Sequence, residues 1–181
     1  MSQTTLDIKE PGLNSLPPGV ERYVVEGGGL TGIQILPDDE IEILNNEGNQ
    51  VCEISVFNKD GKSELAILNL KEAKDSSEIK KILFKKDETS LQALLQLKKR
   101  NLNIEKSKSS IVFNTETKAG EKVKFKSKDK CYCIFAAPGN RMMVHEQNPS
   151  TELTITIKRS IIKKDKEFSL IPDPVYDPSN E

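Results

Sequence analysis

The chain has 181 residues, 35% of them hydrophobic, 30% charged and 5% aromatic, with no tryptophan, which is material for one domain with a modest core. Its 27 lysines and arginines face 28 aspartates and glutamates, so no global field recruits nucleic acid or a membrane. Arginine is confined to Arg22, Arg100, Arg141 and Arg159, and the lysine-heavy remainder fits solvation better than phosphate binding. The first residues have no signal-peptide core, and no run approaches the ~20 apolar residues of a membrane helix, so the expected location is cytoplasmic. Cys52, Cys131 and Cys133 form no disulfide framework, in keeping with a reducing compartment.

Residues 1–19 carry Pro11, Gly12, Pro17, Pro18 and Gly19 and read as a flexible lead-in. A β-domain is expected over 20–168. Its first strand spans 19–26, with Val20, Tyr23 and Val25 as apolar content, and Gly27, Gly28 and Gly29 break the chain before a second strand over 30–36. Pro37, Asp38 and Asp39 make a turn, because proline pre-sets φ and aspartate bonds its own backbone. Residues 40–44 alternate polar and apolar, the period of a half-buried strand. The turn at Asn45, Asn46, Glu47 and Gly48 leads into a strand over 51–57. Asp60 and Gly61 predict a hairpin, since Asp-Gly tolerates positive φ, with a return strand over 63–68.

The period then changes. Ile79, Ile82 and Leu83 at i, i+3, i+4 predict a short helix after a serine cap at 76–77. Leu91, Leu94 and Leu95 predict a second helix over 90–99, with Lys98, Lys99 and Arg100 complementing its C-terminal dipole. The pair forms an insertion over about 76–100, packed on the sheet or offering a groove to a partner. Residues 103–110 read as a polar loop. Strands resume at 111–113, at 121–126 with its alternating lysines, at 130–137, the most buried-looking segment, and at 152–158. About nine strands at this spacing predict a mainly β fold, a β-sandwich or jelly-roll-like barrel with two short inserted helices. Residues 169–181, with Pro172, Pro174 and Pro178, read as a proline-rich C-terminal linker.

The candidate chemistry is sparse. Cys131, Cys133 and His145 are the candidate metal ligands, with Cys131 and Cys133 on one face of a strand. Their Cys-x-Cys spacing is tighter than that of ordinary zinc knuckles, and core packing accounts for them better. His145, the single histidine, reads as a loop residue rather than a catalytic base. Asp38, Asp39, Glu40 and Glu42 lie at turns and strand faces, where solvation explains them. The triple glycine precedes a strand, with no helix N-terminus or Lys-Ser/Thr to complete a phosphate loop. Lys122, Lys124 and Lys126 form a comb without interleaved aromatics, a solvated sheet face rather than a base-stacking platform. No catalytic residue is identified.

Two segments carry a resemblance. Gly28, Gly29 and Leu30 through Asn45, Asn46, Glu47, Gly48, Gln50, Val51 and Phe57 resemble the opening of the urea-carboxylase-associated family. Ala136 to Gly139, Asn148 to Ile155 and the closing Leu170 to Pro178 are similar to the leading β-domain of a narrower group. Those multidomain proteins place a urea-carboxylase-associated domain and a glycine-cleavage T-type folate domain after it, as trimethylamine N-oxide demethylases and related aminomethyltransferase-like proteins do. The two segments span about half the chain. The resemblance implies a non-catalytic accessory domain, cleaved from or encoded beside a folate-dependent aminomethyltransferase or demethylase. Its partner would be a folate-binding T-type catalytic domain or protein, and tetrahydrofolate and zinc would belong to the partner domains, with no cofactor in this chain. The cysteines here match no zinc-ligand pattern of that family. Homo-oligomerisation stays open, and neither nucleic acid nor membrane is expected as a partner. The alternative is a stand-alone metal- or small-ligand-binding β-barrel enzyme.

Overall fold

The computed structural model describes residues 8–10, 19–74, 78–139 and 150–160. Among them nine strands form two sheets. One sheet contains β1 (Ile8–Lys9), β3 (Leu30–Ile35), β5 (Cys52–Asn58), β6 (Ser109–Val112) and β8 (Cys131–Ala136), in the order β1-β3-β8-β5-β6. The other contains β2 (Val20–Val25), β4 (Glu40–Asn45), β7 (Lys122–Lys126) and β9 (Leu153–Lys158), in the order β2-β9-β4-β7. The two sheets are separate, so the fold is a β-sandwich rather than a closed barrel.

Alternation decides which side chains meet. In β9, Leu153, Ile155 and Ile157 point inward against Ile41 and Ile43 of β4 and against Val25 and Tyr23 of β2. From the opposite sheet Ile33, Ile35, Ile54, Val56, Cys133 and Phe135 close this core. The five-stranded sheet is buried on its outer face as well. There Leu30, Phe57, Ile134 and Ala136 pack against α1 (Glu78–Leu83) and α2 (Glu88–Lys99) through Ile79, Leu83, Ala93 and Leu97. Burial on both faces explains why β8 reads as an unbroken apolar run.

The structure departs from the sequence reading in several places. The return strand expected at 63–68 is a 3-10 helix, Leu65–Leu68. β6 pairs with β5 over Cys52 to Ser55 and takes that edge, so only the single bridge Phe57–Ser63 survives. Leu65, Ile67 and Leu68 then turn into the core. The Asp-Gly turn itself is present, with Gly61 at φ +82°. Within the expected lead-in, Ile8–Lys9 pairs in parallel with Gly32 and Ile33 of β3. The expected polar loop at 103–110 buries Ile104 and Ser107 and ends in β6. α2 starts at Glu88 rather than at residue 90, because the Asp87 carboxylate accepts the Ser90 N–H at 2.7 Å and caps the helix. The serine cap at 76–77, His145 and the 169–181 linker lie outside the described residues.

Candidate functional site

The sequence-derived metal candidates come first. Cys131 and Cys133 point into the sandwich core, fully buried, with Sγ atoms 3.7 Å apart. Burial pushes the Cys133 thiol well above its ordinary value, reinforced by the hydrogen bond and charge of Cys131. Burial raises Cys52 in the same way, helped by the Glu53 charge. The Cys131 and Cys133 side chains both pack among the apolar residues of the sandwich core, the role expected of small buried thiols. Among the described residues no group of three or more histidine, cysteine or acidic side chains could hold a metal.

The lysine comb sits on β7. Lys122 and Lys124 lie 3.8 Å from the two carboxylate oxygens of Glu42, and the register sets Lys126 opposite Glu40. Each lysine thus faces a cross-strand carboxylate on an exposed sheet surface, an arrangement that stabilises the pairing of the strands. The glycine run forms the β2–β3 turn, in which the Gly29 N–H donates to the Glu26 carbonyl and the Gly28 N–H donates to the Ala137 carbonyl. A side chain at Gly27 would meet the Ser150 carbonyl oxygen at 2.4 Å, so this glycine allows two backbones to approach.

One site escaped the sequence reading. Arg159 continues the inward row of β9 one step past Ile157 and is 1% exposed. Its Nε and Nη2 donate to the two carboxylate oxygens of Glu21 at 2.9 Å each, a bidentate fork. Its Nη1 donates to Asp39 at 2.8 Å and to the Gln34 carbonyl at 2.7 Å. Asp39 also accepts the N–H groups of Leu36 and Ser160, and the Tyr23 hydroxyl donates to Glu21. Burial opposes the Arg159 charge, but the hydrogen bonds to Glu21 and Asp39 outweigh it and raise its pKa. Burial, with the Glu21 carboxylate beside it, lifts Tyr23 to about 12. Asp39 therefore corrects the expectation of a solvated turn carboxylate: it is fully buried. The cluster ties β2, the β3 end, the following turn and the β9 end together, and every polar arm is engaged. It is built as a lock on one end of the sandwich.

The helical insertion offers a different surface. α2 buries Ser90, Ala93 and Leu97 toward the sheet, while Leu91, Leu94, Leu95 and Lys98 form a second stripe at i, i+3, i+4, i+7. This stripe walls an apolar groove of about 480 Å³ whose floor includes Leu97, Leu102 and Ile104. Leu91 is 50% exposed and Leu95 57%, so the stripe is not consumed by the fold. Two features hold the groove in shape. Beneath the insertion, buried Glu53 of β5 accepts the N–H groups of Ile79 (2.6 Å) and Glu78 (3.3 Å) at the start of α1. At the far end Asn101 adopts φ +58°, and the Leu102 N–H closes back on the Leu97 carbonyl, ending α2. No helix among the described residues is long and apolar enough to cross a membrane.

The described residues thus define a β-sandwich carrying an apolar groove on an inserted helix pair. The chain is 35% identical over 172 residues to the trimethylamine-oxide aldolase of Ruegeria pomeroyi. That match takes in 94% of this chain and 22% of the aldolase, so the chain spans about a fifth of its relative's length. No protein-family model matches the chain.

Proposed function

We propose that this chain is a non-catalytic accessory β-domain of a larger trimethylamine-oxide-metabolising enzyme, working beside a folate-binding T-type catalytic domain or protein. The carrying observation is the match of nearly the whole chain to about a fifth of a trimethylamine-oxide aldolase. The geometry supports the reading: among the described residues the buried ionic cluster is fully engaged, the cysteines lie in the core, and the groove beside α2 is lined mainly by leucines. In this account tetrahydrofolate and zinc act in the partner domains, and the β-domain positions them.

The test is a segment exchange. This chain replaces the matching segment of the Ruegeria aldolase, and consumption of trimethylamine oxide is compared with that of a variant lacking the segment. The expected result is activity in the exchanged enzyme and its loss in the deletion. A folded deletion variant with full activity would end the accessory-domain account.

A further inference from the structure

We propose that the α2 groove is the docking site for an acidic amphipathic helix supplied by the catalytic part of the enzyme. The identity of that partner rests on the accessory-domain reading; the chemistry of the occupant rests on the groove itself. The stripe Leu91, Leu94, Leu95, Lys98 repeats at the spacing by which one helix receives the apolar face of another. At 12 residues, α2 offers about three turns of contact. A small apolar ligand is a poorer occupant, because such ligands are mostly enclosed and this groove is open along the half-exposed Leu91 and Leu95. A helix laid along the stripe covers both.

Charge sets the sign of the partner. Residues 78–108 hold nine lysines and arginines against four carboxylates, although the chain as a whole carries −1. Of these charges, Asp87 caps α2, Glu78 pairs with Lys81 at 2.9 Å, Arg100 pairs with Glu10 at 3.2 Å and Lys108 with Glu72 at 3.4 Å, which leaves the balance basic. Lys85 and Lys86 follow Phe84 on the groove wall, and Lys98 and Lys99 continue α2 past Leu95. Lys98 and Glu105 are the charged residues that line the groove, and Lys85, Lys86 and Lys99 adjoin its lining in sequence. This surplus of lysine favours carboxylates flanking an apolar face, and screening should weaken the attraction as salt rises.

The experiment uses the full 181-residue chain and fluorescence anisotropy with three labelled peptides. One is an amphipathic helix about five turns long with leucine at i, i+3, i+4, i+7 and glutamate on both flanks. The second replaces those glutamates with lysine, and the third is the segment 167–181 of this chain. Binding of the acidic helix is expected, at least about tenfold tighter than the lysine version and weaker in high salt. Leu91→Ser with Leu95→Ser, both at exposed positions that leave the fold intact, should weaken it at least about tenfold. The inference is overturned if neither helix binds, if both bind alike, or if the double variant binds as the wild type does. A preference for the 167–181 peptide, or a native dimer that the double variant dissociates, would overturn it by naming another occupant. If the segment-exchanged aldolase is active with and without the two serines, the accessory role stands and the groove assignment falls. If the exchange fails while the acidic helix binds, the reverse holds.

Discussion

Replacing Arg159 with methionine should be among the most damaging single changes in the described fold. The substitution keeps most of the aliphatic volume but removes four donated hydrogen bonds, two to Glu21, one to Asp39 and one to the Gln34 carbonyl. Both carboxylates are nearly inaccessible, at 5% and 0% exposure, so water cannot replace the guanidinium. Asp39 keeps two backbone N–H donors and Glu21 keeps the Tyr23 hydroxyl, which soften the loss without neutralising either charge. Breaking a buried pair by removing one partner costs about 3–5 kcal/mol. For a chain of this size that lowers the melting temperature by roughly 6–20 °C, at 2–4 °C per kcal/mol. Urea denaturation of wild type, Arg159→Met and the triple change Arg159→Met, Glu21→Gln, Asp39→Asn measures both the loss and its cause. The triple variant should regain a substantial part of the loss, because uncompensated charge rather than missing volume dominates it. A single-variant loss below about 1 kcal/mol, the range of a surface ion pair, would refute the buried-lock reasoning.

Other consequences are as direct. In Gly61→Ala the new Cβ would stand 1.8 Å from the Asn101 carbonyl oxygen at φ +82°, so a loss well above about 1 kcal/mol is expected. Faster hydrogen exchange should appear at the Asn103 amide, which donates to the Gly61 carbonyl at 2.9 Å; unchanged exchange there would show that the turn does not anchor the α2 exit. Burial raises the Glu53 carboxyl, with the Glu78 charge adding to it, while the Ile79 and Glu78 N–H groups and Lys80 pull it down. An acid raised in the fold contributes stability that is complete below its unfolded value and is lost as pH rises through its folded value. The stability gap between wild type and Glu53→Gln should therefore be widest near pH ~4 and narrow toward pH ~7 by chemical denaturation, and a gap constant with pH would contradict this. Finally, native protein should resist iodoacetamide at Cys52, Cys131 and Cys133 and react at all three when unfolded, since all are inaccessible. Rapid native labelling of Cys133 would place it in a different environment.

Much of the fold is visible in residue periodicity. The strict alternations of β4, β7 and β9 identify strands with one wet face, and the apolar run of β8 identifies a strand covered on both sides. The leucine period of α2 and the Asp-Gly turn are equally local. What periodicity misses depends on pairing at a distance. Residues 65–68 look like a return strand until β6, more than forty positions later, takes the edge of β5. Glu53 sits in a strand with no local hint that a helix start will cover it. Arg159 had a usable signal: it extends the row Leu153, Ile155, Ile157 by one inward step, so its charge had to be buried and met by carboxylates. The groove was half legible, because the leucine spacing shows a helix face but not that Ala93 and Leu97, with Leu94 partly buried beside them, would cover the sheet and leave Leu91 and Leu95 half-exposed.

The central claim is that this β-domain works by association with the catalytic remainder of a trimethylamine-oxide enzyme. Its most direct measurement is isothermal titration of the full chain against the Ruegeria aldolase lacking the matching segment, with native mass recorded on the same mixture. The account predicts a one-to-one complex that weakens when Leu91 and Leu95 are changed to serine. No heat and no complex between the two folded partners at concentrations of tens of micromolar would contradict it.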